Sequence, residues 1–136
     1  MAQIVLTNAD ISIAGTDLSS LSNSLTLNYE IDAVEATGFG SGGHNFVGGL
    51  QNVSCEIALM QDFASLKTEA TVYPLVGTTT TIIVIPVKGT AVSATNPRYT
   101  ITGAYLAAHT PVAATVGELA MTTLTFQGGT LAKTTS

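Results

Sequence analysis

The chain has 136 residues and a net charge of −5, with only Lys67, Lys88, Arg98 and Lys133 positive. Four scattered cations cannot neutralise the several phosphates that tight nucleic-acid binding requires, nor form a polybasic membrane tether. Charged residues make up 10% of the chain, against about 25% in an ordinary soluble domain, while apolar residues reach 46%. A surface so weakly charged points to extensive cover by partners.

The length fits one domain. The single cysteine, Cys55, excludes an internal disulfide framework, and its alternating neighbours mark it as a small buried strand residue. The first residues, MAQIVLTNADISIAG, carry neither a basic segment nor a long apolar one, so no secretory signal is expected. No apolar run approaches the ~18 residues of a membrane helix. Synthesis in the cytoplasm is the expectation.

QIVLT and DISIA flank Asn8-Ala9 as an opening hairpin, and GTDLSS, residues 15–20, is turn chemistry. From Leu25 to Glu35 the pattern alternates. Leu25, Leu27, Tyr29 and Ile31 take one face, and Thr26, Asn28, Glu30 and Asp32 the other. Residues 36–49 then hold six of the 13 glycines. Alternation resumes from Leu50 to Gln61, with Val53, Cys55, Ile57 and Leu59 opposite Asn52, Ser54 and Glu56. These two strands read as partners across a long connection.

From Asp62 the period changes. Asp62 as a cap, with Phe63, Leu66 and Ala70 at helical spacing, predicts a short helix ending before Pro74 and Gly77. Residues 78–87 pass from threonines into a continuous apolar run, a strand covered on both faces and ended by Pro86. Residues 88–97 are loop. RYTITGAYLAAHT and GELAMTTLTFQGG are the last two strands. Leu119 and Met121 differ in parity from Leu124 and Phe126, so a bulge is expected near Thr122-Thr123. Residues 131–136 read as a tail. The whole is a mainly β domain with seven or eight strands and one short flanking α-helix, a sandwich or barrel.

Gly38, Gly40 and Gly43 match the spacing of a dinucleotide-binding loop. That loop needs a helix after it to meet the pyrophosphate, and here a strand follows. A flexible connector with Phe39 and Phe46 as aromatic anchors is the better reading, one that orders on meeting a partner. His44 and His109 are the only histidines, and with Cys55 they form no metal-ligand spacing. The serine in GFGSGGH lacks the strand-turn-helix context of a nucleophile elbow. Glu30, Asp32 and Glu56 lie on polar strand faces, where a solvated face is the usual meaning. Asn52-Val53-Ser54 is a chance glycosylation match without a secretory signal. No enzyme, metal or cofactor is expected.

The order of elements carries a resemblance. NYEIDAVEATGFG, MQDF, YPLVGT before a strand, ATNPRYTITG, and VGELAMTTLTFQGG before TLAK follow one another from about Leu18 to Lys133. Together they resemble the major tail protein, or tail tube protein, of long-tailed bacteriophages. The resemblance implies a β-sandwich or barrel similar to the type VI secretion tube protein. It implies six-membered rings, stacked into a tube through which the genome is ejected. Partners would be further copies of the chain and other tail proteins: tail tip, tape measure and terminator. The location would be the virion tail, with no membrane anchor, and DNA would pass without specific binding. Residues Gly38, Phe39, Gly40, Gly42, Gly43, His44 and Phe46 would form a loop reaching a neighbouring ring. An acidic or neutral bore repels phosphates. On that ground Asn28, Glu30, Asp32, Ser54 and Glu56 are assigned to the lumen, the alternative being that they face outer solvent. A different class of function, a capsid-decorating or host-surface-binding β-domain, would need an exposed aromatic patch. The chain has no tryptophan and 6% aromatic residues.

Overall fold

A computed structural model of the chain describes residues 9–65, 67–110, 112 and 115–135. The eight strands are β1 (Asp10–Ile13), β2 (Thr16–Asp17), β3 (Ser22–Glu35), β4 (Phe46–Met60), β5 (Thr79–Ile85), β6 (Arg98–Ala108), β7 (Met121–Gln127) and β8 (Thr130–Thr134). All pairings are antiparallel, in the order β2-β1-β5-β6-β7-β4-β3, with β8 also on β6. Among the described residues one α-helix, α1 (Thr68–Val72), lies between β4 and β5.

The alternating sequences form strands because each has one face to bury. Ile11 and Ile13 of β1, Cys55 and Ile57 of β4, Ile82 of β5, Ile101 and Leu106 of β6, and Leu124 and Phe126 of β7 meet in one core. Inward residues recur every second position, as the pleat requires. The sheet therefore curls until β1, β5 and β6 face β4 and β7.

Several expectations are corrected. The QIVLT half of the expected opening hairpin, and Leu66 of the expected helix, lie outside the described residues, so those two expectations stand as they were. The observed hairpin joins β1 to β2 through Ala14 and Gly15, both at positive φ, which suits a two-residue turn in a right-twisted ribbon. The run 82–85 is covered fully on one face only: Ile82 and Val84 are buried, Ile83 and Ile85 half-buried. The helix starts later than Asp62 suggests and spans five residues, followed by a tighter turn over Tyr73–Leu75. The Asp62 carboxylate accepts from the Ala64 amide at 2.9 Å and so shapes a turn before the helix. The buried Thr68 hydroxyl donates to the Met60 carbonyl at 2.8 Å and holds the helix start against β4.

No bulge occurs at Thr122-Thr123, since β4 and β7 pair in regular register from Met60↔Met121 to Ser54↔Gln127. Leu119 lies before the strand and is exposed, and Thr122 takes the inward position. The irregularity falls instead on β6, between Leu106 and Ala108. The predicted 131–136 tail also gives way, because residues 130–134 form β8 along residues 98–102 of β6. The step from β7 to β8 depends on Gly129, where a Cβ would stand 2.5 Å from the Thr102 carbonyl oxygen at a φ of +86°.

β8 follows β6 rather than β4, and this divides one end of the domain into two layers. The Gln51 side chain still accepts from the Leu131 amide at 3.0 Å across the split. Below it, an open slot of about 460 Å³ separates Leu25, Leu27 and Tyr29 of β3 from Val84, Tyr99 and Leu131. The opposite end carries α1 and the segment before β7, joined where the Gln61 amide donates to the Ala120 carbonyl.

Candidate assembly surface

The hairpin of β3 and β4 outgrows the body. Every residue from Asn28 to Asn52 is exposed, on both faces of the ribbon. The core-side row of β3 continues outward as Tyr29 and Ile31, 52% and 50% exposed. Phe46 is exposed beside it, opposite Glu35 in the register. An apolar sheet face without cover is unfavourable in water at roughly 25 cal/mol per Å². The arm carries three acids, Glu30, Asp32 and Glu35, and neither lysine nor arginine.

The 36–45 connection is organised by side chains. Ala36 donates to the Asn45 carbonyl at 2.8 Å, and the Thr37 hydroxyl accepts from the Asn45 amide at 2.9 Å. His44 Nδ1 meets the Glu35 carboxylate, and the His44 and Phe46 rings lie 6.5 Å apart. Gly40 has positive φ, whereas Gly38, Gly42 and Gly43 do not, and nothing lies within 4 Å of a Cβ built on any of the four. Phe39 at the tip is fully exposed. Strand β4 follows the glycines, so the helix a dinucleotide loop needs is not there.

The polar residues singled out in sequence come together on the other face. Thr26 pairs with Glu56, Asn28 with Ser54, and Glu30 with Asn52. The Asn28 amide donates to the Ser54 hydroxyl at 3.4 Å. β7 extends this face, with Thr125 beside Glu56 and Gln127 beside Ser54, into a shallow polar concavity. Asp32 stands apart from these pairs, where the register between Ile31 and Ala33 shifts by one residue of β4.

Sequence reading missed a buried polar cluster at the helix end. The His109 side chain is 2% exposed. Its Nε2 lies 3.2 Å from the Glu69 carboxylate and its Nδ1 3.0 Å from the Thr122 hydroxyl, which accepts from the Thr110 amide at 3.2 Å. A proton on Nε2 satisfies every partner, with Thr122 donating to Nδ1. The cluster ties α1 to β6 and β7. At the slot end the buried Asn96 does similar work, accepting from the Val87 amide and donating to the Val87 and Thr90 carbonyls. Burial pushes the Cys55 thiol up to about 12. Among the described residues there is no group of three His, Cys, Asp or Glu able to hold a metal.

No protein-family model matches the chain, and no curated protein matches it. Solved structures do. A chain from the sheath/tube terminator of an extracellular contractile injection system, PVC, in the extended state superposes with a TM-score of 0.72 at 14% identity, covering 96% of each chain. One from the PVC sheath-tube complex gives 0.70 at 14%, over 98% of this chain and 93% of that one. One from the tail of an empty GTA particle, with C6 symmetry, gives 0.63 at 17%, over 97% and 99%. The shared feature is the fold, end to end.

Proposed function

We propose that this chain is a structural virion protein that polymerises as stacked, hexameric rings into a phage tail tube, the conduit for genome ejection. The observation that carries the reading is the arm, 25 residues exposed on both faces, Asn28 to Asn52, with an uncovered apolar row. A lone monomer gains nothing from such a ribbon, whereas a neighbouring copy would bury it. The likeness in fold to chains of assembled tubes and tails supports the same reading. Other tail proteins would be its further partners.

The polar concavity suits the bore. Glu30 and Glu56 lie on this face without an ion pair among the described residues. Such a surface repels DNA phosphates rather than retaining them. The loop holding Phe39, Gly40, His44 and Phe46 would reach the adjacent ring.

Light scattering on a sizing column, with negative-stain images, tests the proposal. Six-fold rings or hollow tubes are expected. Monomers at every concentration, with or without a purified tail-tip complex, would refute it. The match to a chain in a sheath/tube terminator structure motivates one second reading, a protein that caps the tube. Single rings that never stack would select it.

A further inference from the structure

The two ends of the domain differ in a way that fixes how copies would meet. At the slot end, Leu25, Leu27, Tyr99 and Leu131 leave an open apolar concavity, and Tyr29 and Ile31 continue it along the arm. At the helix end, the segment around α1 projects Phe63 and Tyr73, 64% and 63% exposed, with Val76. One end is hollow and the other prominent.

The charges differ too. Lys133 lies opposite Tyr99 in the register and shares a strand face with Leu131, so it stands on the slot side of β8. Arg98 opens β6 at the same end. Neither has an ion pair among the described residues, whereas Lys88 is held by Asp17. Asp10 is nearby on β1, and the arm acids Glu30 and Asp32 occupy the face turned away from Tyr29 and Ile31. The helix end presents Asp62 and Glu118 against one cation, Lys67, its third acid Glu69 being engaged by His109.

Resting on the tube reading, we infer that copies join head to tail, the helix end of one seating Phe63, Tyr73 and Val76 against the slot and inner arm face of the next. Arg98 and Lys133 then face Asp62 and Glu118. A slot end meets a helix end better than it meets a second slot end, where hollow would face hollow and the unpaired Arg98 and Lys133 would have only Asp10 of β1 to offset them. The contact is heterologous and repeats, the geometry that propagates a stack. The charge pairing sets its polarity.

The experiment uses the full chain. In Tyr73→Cys/Tyr99→Cys, oxidation should give a ladder of disulfide-linked oligomers on non-reducing gels, and each single variant should give none. Cys55 is buried and stays silent. Arg98→Glu/Lys133→Glu should raise the concentration needed for assembly at least about tenfold. Adding Asp62→Lys/Glu118→Lys to the same chain should restore it. Circular dichroism confirms that these surface variants fold. Tubes that form without a ladder, or that ignore the charge reversals, overturn this contact and leave the tube reading standing. A wild-type chain that never self-associates overturns both.

Discussion

Replacing residues 36–45 with Asn-Gly separates the role in assembly proposed for the arm tip from any role in folding. Glu35 and Phe46 face each other in the register, and a two-residue turn can close them without moving either strand. The exchange removes the Glu35–His44 contact and the Thr37 and Asn45 hydrogen bonds, all exposed and each worth about 0–1 kcal/mol. Against that, shortening the loop fivefold lowers its closure entropy by about 1.4 kcal/mol. No core residue loses a neighbour, since every residue of the tip is exposed. The body should therefore keep its stability within about 1 kcal/mol, measured by urea unfolding followed by circular dichroism. Tube formation should be lost, because Phe39 and His44 are gone. Normal tubes would refute the connector role. A body destabilised by more than about 3 kcal/mol would show that the tip packs on the domain, against the exposure seen here.

Phe126→Ala should cost about 3–5 kcal/mol in urea unfolding, since the ring is 1% exposed between Cys55 and Leu106. Cys55 should resist alkylation at pH 8 in the native protein and react once denatured; fast native labelling would contradict its burial. The Lys88 ammonium, with help from Ser19, holds the Asp17 carboxyl down at about 2. Its contribution to stability is present above about pH 4 and is lost as pH falls through about 2. Lys88→Ala should raise the Asp17 pKa seen by NMR titration, with a small effect on stability because the pair is half exposed.

Much of the fold was legible because period-two alternation reports burial directly. It found the β3–β4 hairpin, β6 and β7, and it put Asn28, Glu30, Ser54 and Glu56 on one face. It failed where burial and polarity part company. Residues 131–134 look like a tail because Leu131 is the one large apolar residue in β8, which is held mainly by backbone pairing to β6. Phe63 looks like a helix anchor, yet it is exposed, because the helix start is fixed by the Thr68 hydroxyl instead.

Thr122 shows the same limit and offers the cleanest test of it. Alternation of apolar residues calls for a bulge that turns Thr122 and Thr123 out of register. In the structure the strand is regular and Thr122 points inward, 1% exposed, because its hydroxyl serves His109 and the Thr110 amide. Thr122→Val keeps the shape and removes only that hydroxyl. It leaves the Thr110 amide and the buried His109 Nδ1 without their partner, and each such loss costs about 1–3 kcal/mol. A fall of at least about 1 kcal/mol in urea unfolding, with the native circular dichroism spectrum retained, is expected. An unchanged or higher stability would mean that the hydroxyl's bonds contribute no more than the methyl that replaces it, and the cluster joining α1 to the sheet would lose its centre.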